Sequence, residues 1–192
     1  MDDQTPNSAV VEFVDDDGIK REIDFLGAPF GLSAEEVRDL SQDFAVQDAS
    51  GNDTGATFRV MHPLHCLMSR TSNSGGLPGY DTPHALRQLR YSVQVLRWFI
   101  ERTLLREHQE VRGALKLIER TFHFSHSKPS ALLVFERHDI DVFEAVPPKG
   151  FGLPEKYEEL RYPQMRRYLR LRRQRFSRSS WPPSPWPQFR HQ

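Results

Sequence analysis

Asp24 is the residue of this chain best placed for chemistry. It stands in Arg21-Glu22-Ile23-Asp24-Phe25-Leu26, between two apolar neighbours. Successive side chains alternate on a strand, so Ile23 and Phe25 can enter a core while Asp24 faces a cleft. A carboxylate so placed can bind a divalent metal or take the proton of an attacking hydroxyl. The alternation Lys20, Glu22, Asp24 is also the ordinary pattern of a half-buried strand with one face in solvent.

Two other groups carry ligand or contact chemistry. His62, His65 and Cys66 fall within Met61-His62-Pro63-Leu64-His65-Cys66. Structural zinc takes four ligands, commonly as two separated pairs, and no second pair is evident. A packed helix start with a buried thiol is therefore the expected reading. The third group is basic. Arg161, Arg166, Arg167, Arg170, Arg172, Arg173, Arg175 and Arg178 are interleaved with Tyr162, Tyr168 and Phe176. Arginine pairs with phosphate and stacks on bases, and aromatic rings add stacking platforms. A solvated helix end would show the same composition. Phosphate loops, dinucleotide fingerprints and nucleophile elbows are absent from the sequence.

The elements that must position these residues are an N-terminal β region and a helical remainder. Residues 9–26 read as a hairpin turning at Asp17-Gly18. Ser33 and Glu36 have capping-box spacing, and 42–60 read as two short strands around Ser50-Gly51-Asn52-Asp53. Pro63 suits the first position of a short helix running to about Asn73 and ended by Ser74-Gly75-Gly76. Thr82-Pro83 opens the strongest helix, with Leu86, Leu89, Val93, Leu96, Ile100 and Leu104 as its buried stripe. Val111, Leu115, Ile118 and Phe122 mark the next helix, Pro129 starts another, and Asp141–Ala145 reads as a short turn. Pro154 and Pro163 are each expected to restart a helical segment, and the residues from Ser177 on to be disordered.

The expected fold is therefore α+β: a hairpin and partial sheet, a mainly helical domain, and a disordered tail. The expected divisions are 1–60, 61–148, 149–176 and 177–192. Among 192 residues of zero formal net charge, 38% are hydrophobic and 27% charged, which fits a globular chain. No apolar run approaches the ~20 residues of a membrane helix, so no membrane partner is expected. One cysteine excludes an internal disulfide framework, and the Met-Asp-Asp-Gln start resembles no secretory signal; a cytoplasmic location is expected. Charge is uneven. Residues 1–60 hold fourteen acids against four bases, whereas 161–192 hold nine arginines and neither acid nor lysine. One end then suits a polyanion, or the two ends attract each other.

The order of segments over about residues 9–175 resembles bacterial nucleotidyltransferase-like proteins of the AbiEii toxin type. The resemblance is carried by Arg21–Leu26, by Arg59–Arg70, by Leu153-Pro154-Glu155-Lys156-Tyr157 and by Arg161-Tyr162-Pro163-Gln164-Met165. It implies a polymerase-β-like sheet followed by a helical domain. It also implies transfer of a nucleotide from an NTP with Mg2+, in some members as a toxin paired with an antitoxin. In that superfamily a Gly-Ser and an Asp-x-Asp strand precede a later single carboxylate, the position that Asp24 matches as metal ligand and catalytic residue. Neither motif stands ahead of Val10. The expectation is thus a truncated, catalytically impaired nucleotidyltransferase-like protein whose exposed strand edge an antitoxin or sheet-completing protein would cover. The alternative is a non-catalytic module that binds RNA or a protein through its helical domain and Arg166, Arg167, Arg170, Arg172 and Arg173.

Overall fold

The computed structural model describes residues 7–14, 17–26, 29–106 and 108–178. β1 (Asn7–Val14) and β2 (Lys20–Leu26) pair antiparallel, with Val10 opposite Asp24 and Val11 opposite Ile23. Gly18, at φ 75°, supplies the left-handed backbone that this turn needs. α1 (Ala34–Leu40) starts with a capping box: the Glu36 N–H donates to Ser33 Oγ at 3.1 Å, and the Ser33 N–H donates to Glu36 Oε2 at 2.9 Å. β3 (Gln42–Gln47) and β4 (Asp53–Val60) form a second antiparallel hairpin, where Phe44 stacks on its register partner Phe58. Among the described residues the strands make two separate two-stranded sheets rather than one larger sheet.

Helices follow, and they hold the core. α2 (Pro63–Gly76), α3 (Pro83–Leu104), α4 (His108–Ser127) and α5 (Pro129–His138) pack around Leu64, Leu89, Leu96, Ile118 and Val134, all fully buried. Their starts obey local chemistry. Thr82 Oγ1 accepts from the Ala85 N–H at 3.2 Å, and proline takes the first position of α2, α3 and α5. A 3-10 turn, Val142–Ala145, inserts Phe143 into the centre.

α2 runs through Ser74-Gly75-Gly76, where the sequence led us to expect its end. The glycine serves a close approach instead. A Cβ on Gly75 would lie 2.4 Å from the Ser130 carbonyl oxygen of α5, so only hydrogen lets the two backbones cross there. Gly75→Ala is expected to destabilise the fold by about 2 kcal/mol, because backbone must shift. Gly113→Ala, on an exposed face of α4 with open space around the new methyl, is expected to stabilise by about 0.5–1 kcal/mol. Urea titration of both variants checks the pair, and equal effects would contradict the crossing argument.

Pro163 does not restart a helix. A π turn, Tyr157–Arg161, flows directly into α6 (Tyr162–Arg178), and the Tyr162 N–H donates to the Tyr157 carbonyl. The widened turn accommodates a residue that has no N–H to give and whose ring would crowd the carbonyl four residues back. Tyr162, Met165, Leu169 and Phe176 of α6 are buried, the first three in the same core as α2–α5. Ser177 still belongs to α6; residues 179–192, expected to be disordered, lie outside the described residues. No helix among those described is long and apolar enough to cross a membrane.

Candidate functional site

α6 separates its residues by face. At 3.6 residues per turn, Tyr162, Met165, Leu169 and Phe176 share the core side, and Arg166, Arg167, Arg170 and Arg173 fall together on a neighbouring arc. With Pro163 and Leu169 these four arginines are the described lining of a cleft of about 430 Å3.

Two of the four are fixed by the protein. Arg173 forks onto Asp141, with Nη1 donating to Oδ2 at 2.9 Å and Nη2 donating to Oδ1, and lies 3.8 Å above the Phe135 ring. Arg166 stacks on Phe143 and Tyr162, donates to the Tyr162 hydroxyl at 3.2 Å, and lies 3.9 Å from Asp141 Oδ2. Asp141 Oδ1 also accepts from the Phe143 N–H at 2.8 Å, capping the 3-10 turn. Arg172 donates to the His126 carbonyl at 3.3 Å. Arg167 and Arg170 are exposed, and among the described residues neither has a hydrogen-bond or ion-pair partner. The arginine stretch is thus part core scaffold and part free charge.

Arg161 lies on the other side of α6, outside the cleft. It forks onto Glu119 of α4 at 2.8 and 2.6 Å, and the Tyr157 hydroxyl donates to the same carboxylate at 2.9 Å. The Arg161 guanidinium and these bonds hold Glu119 below the usual carboxylate range. Burial, with the Glu119 bond, pushes the Tyr157 hydroxyl up.

The histidine pair is a packing unit. His62 Nδ1 accepts from the Leu64 N–H at 3.1 Å and so caps α2. Its ring meets Phe99 edge-on at 4.8 Å. His65 is fully buried, and its Nε2 faces Arg120 Nη2 at 3.2 Å. Guanidinium only donates, so Nε2 accepts and the ring proton sits on Nδ1, which has no partner among the described residues. Burial holds both rings neutral: His62 is lowered to about 4, and His65 is lowered by burial and by the Arg120 charge. Burial also pushes the Cys66 thiol up, and its Sγ lies 3.8 Å from the Met61 carbonyl.

The backbone of β2 carries Asp24 opposite Val10, but the Asp24 side chain lies outside the described residues. Among the described residues no three His, Cys, Asp or Glu side chains converge as a metal site. The described residues therefore do not supply a set of ligands for Mg2+. Two stretches that carry the resemblance meet on consecutive residues of α4: His65 on Arg120, and Arg161 on Glu119. Their visible role is to join α2 and α6 to α4. Asp141 and Glu119, which organise the basic helix, carry no motif. The one signal in the sequence is Asp141's place at the head of a short turn. The chain matches no family model, no curated protein and no solved structure.

Proposed function

We propose that the chain is a non-catalytic RNA-binding module whose contact surface is the arginine face of α6. The observation that supports this most is the unpartnered pair Arg167 and Arg170, beside Arg166 and Arg173 held in place by Asp141 and aromatic rings. Free guanidinium groups one turn apart suit successive phosphates. Their fixed neighbours, two guanidinium groups against the one carboxylate of Asp141, leave a single net positive charge beside them without further side-chain ordering. Single-stranded RNA is the polyanion we favour, because a flexible backbone can lay successive phosphates on two exposed guanidinium groups. Tyr168, about half exposed, packs on Phe122 and His126 and lies outside this surface.

Point substitution is the proper test, because deleting 161–192 would remove Tyr162, Met165 and Leu169 from the core. Fluorescence anisotropy with a labelled single-stranded RNA 20-mer should show binding that weakens steeply with salt. In Arg167→Ala/Arg170→Ala the slope of log K against log salt should fall by about 1.4, two phosphate contacts at about 0.7 each. Circular dichroism should be unchanged, since both side chains are exposed. No binding at low salt rejects the module; undiminished binding by the double variant rejects the location.

A further inference from the structure

A groove whose described lining includes no residue of α6 has the features of a small-molecule site. It lies where the β3–β4 hairpin meets α2 and α3, and its volume is about 520 Å3, within the range of ligand pockets. Phe44, Val60, Cys66, Val95 and Phe99 make its walls predominantly apolar. Val60 and Val95 remain about half exposed, so the apolar surface is open rather than sealed into the core.

Charge selects the occupant. Arg70 of α2 is the one formally charged side chain among the described lining residues; His62, the remaining titratable base there, is held neutral. Arg70 donates to Gln88 Oε1, and Gln88 Nε2 in turn meets His84 Nε2 at 2.8 Å. The relay orients the guanidinium but supplies no counter-charge. Arg70 and the groove-lining Cys66 stand four residues apart on α2, so the charge lies one helical turn from that wall.

We propose that this groove binds a small amphiphile with one negative head group, a medium-chain or aromatic carboxylate, with its apolar body against α3 and its carboxylate on Arg70. An apolar wall gains from any hydrocarbon, whereas an arginine in the lining with no described counter-charge distinguishes an anion from a neutral analogue. This site is independent of the RNA reading, which concerns α6.

Isothermal titration of the full chain with decanoate and with 1-decanol tests it. Decanoate should saturate at one equivalent and bind about tenfold tighter than the alcohol. Arg70→Gln should remove that advantage and leave the alcohol unchanged. Val95→Trp, at a half-exposed helix position, should block both ligands without unfolding the chain. Equal affinity for the two ligands, an unaffected Arg70→Gln variant, or no saturable binding would overturn the proposal. So would self-association through the groove that decanoate fails to disperse, since a second copy would then be its occupant.

Discussion

Asp141→Ala is expected to destabilise the chain by about 3 kcal/mol and to lower its Tm by roughly 6–12 °C. The Asp141 side chain is 12% exposed and that of Arg173 16%, so water cannot replace the lost partner fully. Removing the carboxylate leaves Arg173 over the Phe135 ring with no counter-charge, and it already has one buried nitrogen, Nε, without a partner among the described residues. The same oxygen caps the 3-10 turn that carries Phe143 into the core, so charge and cap are lost together. Asp141→Asn separates the two: its carbonyl can still accept from the Phe143 N–H, and the deficit that remains is the ion pair's. RNA affinity should not follow stability down. Both variants release Arg173, and weaken the hold on Arg166, beside the unpartnered Arg167 and Arg170. Binding at a temperature where each variant is folded should hold or rise. Loss of stability and affinity in parallel would show that Asp141 orders the contact surface rather than restraining its charge.

What the sequence discloses here is what local rules control. The capping box at Ser33 and Glu36, the Thr82 cap and the stripe from Leu89 to Leu104 each depend on residues within one or two turns. Both hairpins follow from turn chemistry, with glycine at positive φ in each turn. The basic face is only half legible. Eight arginines in eighteen residues announce positive charge, but which are free depends on Asp141, twenty-five and thirty-two residues away from Arg166 and Arg173. The same limit hides the groove, whose described walls come from two strands and three helices. Gly75 illustrates the ambiguity of a single letter. A glycine near a helix end reads as a stop, and only the position of α5 turns it into a crossing point. The segment after Pro154 shows a related failure: proline punctuates an α-helix, but a π turn absorbs it.

Stability should fall as the solution is acidified through the histidine range, well before carboxylates titrate, and His62 should carry a large part of the fall. Its ring is 8% exposed and uses Nδ1 to cap α2, so protonation costs both burial of charge and the cap. The groups that face it make the cost higher: His65 on the same helix and Arg120 on α4 are positive or become so, and Phe99 on α3 is apolar. The folded ring titrates at about 4 against 6.5 when unfolded, so between these values the unfolded chain binds a proton that the folded chain refuses. His62 stabilisation is therefore complete above pH 6.5 and is lost downward, about 2 kcal/mol by pH 5 and about 3 kcal/mol by pH 4. His65 and His126, both lowered chiefly by burial, add to the fall in the same direction. Glu119 acts in a separate window. Its lowered carboxyl gives stability above the ordinary glutamate range that disappears only as pH drops through the folded value, so a comparison of pH 7 with pH 5 leaves it out. His62→Asn keeps a side-chain acceptor at the cap and removes the titrating ring. Urea midpoints at the two pH values should show the variant losing about 2 kcal/mol less than the parent chain. If parent and variant lose the same amount, the proton enters elsewhere, and the neutral His62 cap is not what makes the α2 start sensitive to acid.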